Sequence, residues 1–156
     1  MALKIEKTST EKLNSLQQIK QAAGTLNAAT DRFSKVILEI EEFLKTLNIG
    51  VACWVTIPGT EWADEQTGAS GFNQLGYSKV NGKWGFALSS FNDYADEPDV
   101  WAFHDSSRDL RLKSVACLPL LLDELANGAT KLSHDVDERT HEVEQLVAAL
   151  KGRGAL

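Results

Sequence analysis

The sequence predicts an α+β fold in which two long helices flank a small antiparallel sheet of three to four strands. Three observations predict it. Apolar residues recur at helical spacing in the first and last thirds of the chain, the period changes in the middle, and Asn81-Gly82 sits there between two alternating segments.

The first helix is expected over residues 8–47. Thr8-Ser9-Thr10-Glu11 has the form of a capping box, with a Thr hydroxyl for the free N–H groups and a Glu three residues on to answer it. Two columns at seven-residue spacing follow: Leu16, Ala23, Thr30, Ile37, Leu44 and Ile19, Leu26, Phe33, Ile40, Leu47. Only Thr30 among them is polar. A strict heptad marks a seam against another helix. Asn48-Ile49-Gly50 supplies the stop, with Gly50 suited to the left-handed conformation beyond a helix end.

The β region is expected over residues 50–103. The segment 50–57 is rich in β-branched residues and ends at Pro58-Gly59. Residues 60–73 read as a polar loop. Leu75–Val80 and Lys83–Ser89 read as two strands joined by Asn81-Gly82, whose residues tolerate the positive φ that a tight hairpin turn needs. Trp84, Phe86 and Leu88 share one face of the second arm and should meet the helices. The small residues Gly85 and Ala87 on the other face allow close packing on the backbone. Residues 92–99 form an acidic loop closed by Pro98, and Val100–Phe103 reads as a short fourth strand.

The last helix is expected over residues 106–151, started by a box of Ser106 with Asp109 and bent or broken near Pro119. Its heptad columns are Val115, Leu122, Ala129, Val136, Val143, Leu150 and Leu118, Leu125, Leu132, Arg139, Leu146. An antiparallel, coiled-coil-like hairpin of the two helices places Phe33 near Ala129, Leu26 near Val136 and Ile19 near Val143, the first a large residue against a small one. Val36 and Phe43 fall off the seam. Either a second copy covers them in a four-helix arrangement or they face the sheet. The whole, residues 1–156, is read as one elongated domain.

Composition is that of an ordinary globular chain: 156 residues, 43% hydrophobic, 24% charged, net charge −6. The acidity argues against a nucleic-acid surface, which needs clustered Lys and Arg. Met1–Lys12 has no secretory apolar core, and no run approaches the roughly 18 apolar residues of a membrane span, so a cytoplasmic protein is expected. Cys53 and Cys117 form no C-x-x-C pair and read as free, largely buried thiols.

Three groups are candidates for chemistry. His134, Asp137, Glu138 and His141 share one helix face, but that face lies opposite the apolar stripe and reads as a solvated surface; no metal and no cofactor are expected. Arg108 and Arg111, in a first helical turn where cations oppose the helix dipole, read chiefly as ion-pairing with Asp93, Asp96, Glu97 and Asp99 or with Glu41 and Glu42, and secondarily as an anion site. Trp62, in the polar loop, and Trp101, which follows the acidic loop, could line a groove together with those arginines, although burial by folded-back loops is the simpler reading. There is no nucleophile elbow, phosphate loop or Cys–His arrangement.

In size, acidity and helix–sheet–helix order the chain resembles secretion chaperones, which bind extended segments of a client. The resemblance is architectural and brings no residues with it. The leading expectation is a non-enzymatic interaction or scaffold protein, homodimeric through its long helices, with a protein client. The alternatives are a small-molecule or anion-binding cleft, possibly catalytic, near Trp62, Trp101, Arg108 and Arg111, and a self-assembling structural subunit.

Overall fold

A computed structural model describes residues 8–154 of the chain. The reading of residues 1–7 lies outside them. The chain divides into two units, Met1–Glu42 and Phe43–Leu156.

The first unit is helical. Helix α1 (Ser9–Leu47) begins at the expected capping box: the Thr8 N–H donates to Glu11 Oε2 at 2.9 Å, and the Glu11 N–H to Thr8 Oγ1 at 3.4 Å. On its seam Leu16, Ile19 and Leu26 are exposed. Val36 is exposed too, and so is Phe43, in the second unit, which is therefore not buried against the sheet. The helix ends where Asn48 and Gly50 both take positive φ, +48° and +63°. Asn48 is the first to leave the helix, a residue that tolerates the left-handed conformation better than most.

The second unit contains β1 (Cys53–Thr56), β2 (Trp62–Ala63), β3 (Ser70–Val80), β4 (Lys83–Asn92) and β5 (Asp99–Ala102). All pairings are antiparallel, in the order β1-β3-β4-β5, and β2 shares the β1 edge of β3. The central hairpin is longer than expected, starting at Ser70 and running to Asn92. Asn73, Ser90 and Asn92 are poor strand formers, which hid the extension. The cross-strand pair Phe72–Phe91, ring centroids 5.1 Å apart, helps hold it. At the other end Asn81 (φ +50°) and Gly82 (φ +80°) make the expected tight turn.

Register places Cys53, Tyr77 and Phe86 side by side, and Val55, Leu75 and Leu88 beside them on the same face. Tyr77 stacks on Trp84 at 5.6 Å and meets Phe86 edge-on at 6.0 Å. This bulky face meets the C-terminal helix, as expected: Cys53 Sγ lies 3.8 Å from the Leu121 carbonyl oxygen, and Leu121 and Leu125 are buried. On the opposite face Trp54 lies directly across from Gly76, and its indole occupies the space a Cβ there would fill.

The C-terminal segment is two helices, α2 (Arg108–Val115) and α3 (Leu118–Gly152). The expected bend or break is a full break at Ala116-Cys117. Pro119 lies in the first turn of α3, where its missing N–H has no partner to lose. The start of α2 also differs from expectation. Ser107, not Ser106, is the cap, its hydroxyl accepting from the Leu110 N–H at 3.3 Å. Among the described residues no helix is long and apolar enough to cross a membrane.

Candidate interaction surface

The four residues singled out from sequence do not form one cleft. Trp62 stands on β2 at one edge of the sheet, and Trp101 on β5 at the other, with β3 and β4 between them. Three interstrand steps alone separate them by about 14 Å. Trp101 lies across from the buried Leu88 and is half-buried. Arg108 and Arg111 sit one turn apart at the start of α2, both partly buried. The physical reason is topological: β2 joins the β1 edge, which carries Trp62 away from β5.

Trp62 is on a short strand and not in a loop. It pairs with Gly71, and its indole Nε1 lies 2.6 Å from where a Cβ on Gly71 would stand. The ring thus covers a glycine and still keeps 47% of its surface. The same end of the sheet is tied by a latch. Asp93 Oδ2 accepts from the Ser70 N–H at 2.9 Å and from the Ser70 hydroxyl at 2.6 Å, while the Asp93 N–H donates to the Ser70 carbonyl at 3.1 Å. Beside it the Tyr94 hydroxyl donates to the Thr67 carbonyl at 2.9 Å, leaving the ring 70% exposed. Within the turn, the Gln66 N–H and the Thr67 side chain hold the Asp64 carboxyl below its usual range. Two exposed aromatics, Trp62 on β2 and Tyr94 in the loop after β4, thus stand at this end of the sheet. Sequence reading passed over Tyr94 because it sits inside an acidic loop; an aromatic among carboxylates was the available signal.

The remaining candidates are placed as follows. His134, Asp137, Glu138 and His141 are exposed on α3, His141 Nε2 lying 3.2 Å from the Gln145 amide nitrogen. Among the described residues no group of three or more His, Cys, Asp or Glu is arranged to hold a metal ion. Both cysteines are free thiols. Burial pushes both pKa values up, and Glu124 adds to the rise at Cys53. Neither has the lowered pKa of a reactive thiol.

An exposed apolar feature of the second unit lies on α3. Leu132, Val136, Val143, Leu146, Val147 and Leu150 form a stripe, each between 37% and 64% exposed. Much of it floors an open groove along the helix, edged by Asp135, Arg139, Glu144 and Lys151. Comparison with protein-family models, curated proteins and solved structures finds no match to this chain.

Proposed function

We propose that the chain is a non-enzymatic interaction or scaffold protein, homodimeric through its long helices, which offers the loop end of its sheet to a protein client. One observation carries the reading: the distal part of α3 exposes a continuous apolar stripe from Leu132 to Leu150. Scattered exposed apolar residues are ordinary, but a contiguous, periodic stripe on a stable helix marks an association surface. The exposed Leu16, Ile19 and Leu26 on α1 extend the same argument to the other long helix. A second copy supplies matching stripes at no cost in new sequence. The client surface rests on Trp62 and Tyr94, aromatics held in place by Gly71 and by the Thr67 carbonyl.

The test has two stages. Light scattering on the full chain should give twice the 17.1 kDa chain mass. Affinity capture should then recover a partner that is lost on Trp62→Ala with Tyr94→Ala, while the dimer persists. A monomer at all accessible concentrations would remove the scaffold reading. A dimer whose captured partners ignore both substitutions would remove the client surface.

A further inference from the structure

We infer that the outer edge of β1 takes up an extended, positively charged segment of another polypeptide as an added strand; the site is distinct from Trp62 and Tyr94 and needs no dimer. The direction of the main-chain groups carries it. The Ile57 N–H donates to the Asn73 carbonyl at 2.9 Å, and β1 pairs antiparallel with β3 from Cys53↔Tyr77 to Thr56↔Gln74. Hydrogen bonding alternates along such a pair, so Cys53 and Val55 turn their N–H and C=O groups to β3, as Ile57 does. Trp54 and Thr56 turn theirs away. No strand pairs with β1 on that outer side, and neither residue meets a main-chain partner there among the described residues. Ala52 and Thr56 are exposed, so the edge is open to a second chain. An extended main chain is the ligand chemistry that matches such a row of donors and acceptors.

The two edges of the sheet differ in how they are guarded. β5, at the opposite edge, is led in by Asp96, Glu97, Pro98 and Asp99, and a proline with charges keeps other strands off an edge. β1 has no such guard, since no charged residue lies between Lys45 and Glu61. What rims it has one sign. Glu61 stands just past β1, its carboxylate accepting from the Gly59 N–H at 3.1 Å. Glu124 of α3 lies near enough to Cys53 for its charge to push that thiol's pKa up. No Lys, Arg or His occurs between Lys45 and Lys79, or between Lys113 and Lys131, the segments that build this edge. Lys79 itself lies beyond the end pair of the ladder, Cys53↔Tyr77. Charge complementarity therefore selects a strand that carries Lys or Arg. A second copy brings no cation on its own β1 and does not meet that requirement.

The probe is a synthetic peptide of about ten alternating Lys and Val residues. Amide hydrogen exchange on the full chain should find Val55 protected and Trp54 and Thr56 exchanging freely, and saturating peptide should slow the latter two by about tenfold or more. In fluorescence anisotropy, Glu in place of every peptide Lys should weaken binding by about tenfold or more, and N-methylation of the peptide amides by a similar factor. On the chain, Thr56→Pro removes an outward N–H and no bond to β3, and should weaken binding by about threefold or more. Glu124→Lys, at an exposed position, should do the same without touching the ladder. The inference is overturned by Trp54 and Thr56 amides already protected without peptide, by a peptide that does not bind, or by binding indifferent to its charge or to N-methylation. Trp62→Ala with Tyr94→Ala should leave this peptide bound, so loss of the loop-end client and loss of the edge are read separately.

Discussion

The two ends of α3 each carry apolar residues and meet opposite fates. Leu121 and Leu125, near its start, are buried under the sheet at 0% and 2% exposure; Leu132 and Leu146, one and three heptads beyond Leu125, are 42% and 64% exposed. Gly128 marks the change. A Cβ there would stand 3.0 Å from Val51 Cγ1, and past this close approach every residue from Thr130 to Arg153 is exposed. The difference teaches that a heptad declares that a stripe requires cover, not what covers it. Near the sheet the cover is intramolecular. Farther out the stripe stays exposed.

The largest expected effect breaks this comparison most directly. Leu121→Ala removes a fully buried side chain and should lower stability by about 3 kcal/mol, from lost burial and the cavity left behind. Leu146→Ala, equally apolar and in the same helix, should change the stability of dissociated chains by less than about 0.5 kcal/mol, yet weaken self-association. Chemical denaturation at low protein concentration, with sedimentation at high concentration, separates the two. Equal losses from both substitutions would mean that the distal stripe is covered within one chain.

A second test bears on why the sheet end is so well satisfied. Gly76 is buried beneath the Trp54 ring, so Gly76→Ala puts a methyl group where the indole lies and should cost about 2 kcal/mol. If the clash is the cause, Gly76→Ala in a Trp54→Ala background should cost much less, and a double-mutant cycle by thermal denaturation would show the difference. Additive losses would place the strain in the strand backbone instead.

These particulars also show what was legible in sequence. The capping box at Thr8, the tight turn at Asn81-Gly82, the break before Pro119 and the bulky face carrying Phe86 and Leu88 were readable, because each depends on residues close in sequence or on simple alternation. Strand β2 was not. Two residues in a polar loop have no period, and they become a strand only because Gly71, nine positions on, accepts the Trp62 ring. The cleft failed for the same reason: pairing partners decide which edge a tryptophan occupies, and pairing is non-local. The Ser70–Asp93 latch spans 23 residues and leaves no local mark. The Ser106 cap was displaced by one residue because neighbouring serines offer equivalent hydroxyls, and only the backbone path chooses Ser107.

The turn at Gly82 gives a smaller effect. Its φ of +80° suits glycine, so Gly82→Ala should cost about 1 kcal/mol in thermal or chemical denaturation. No Cβ contact opposes the substitution, since nothing lies within 4 Å of that position. A loss as large as that at Gly76 would mean that the turn supports more than its own backbone, and the contrast between packed and unpacked glycines would fail.

The smallest effect comes from a site that is exposed yet internally satisfied, the counterpart of the distal stripe. Asp64 accepts from the Gln66 N–H at 2.9 Å, and this bond, with the Thr67 side chain, lowers its pKa from 3.8. A folded-state pKa below the unfolded one means that the unfolded chain takes up the proton first as pH falls. The stabilisation is therefore present above the unfolded value and disappears as pH drops through the folded one. Asp64→Asn keeps an acceptor and removes the charge. Against the original chain, its deficit in denaturation midpoint should be visible at about pH 6 and vanish by about pH 2. A deficit that persists at low pH would assign the role of Asp64 to turn geometry alone; one that vanishes shows that this wet loop, unlike the wet end of α3, already holds the partners its charge requires.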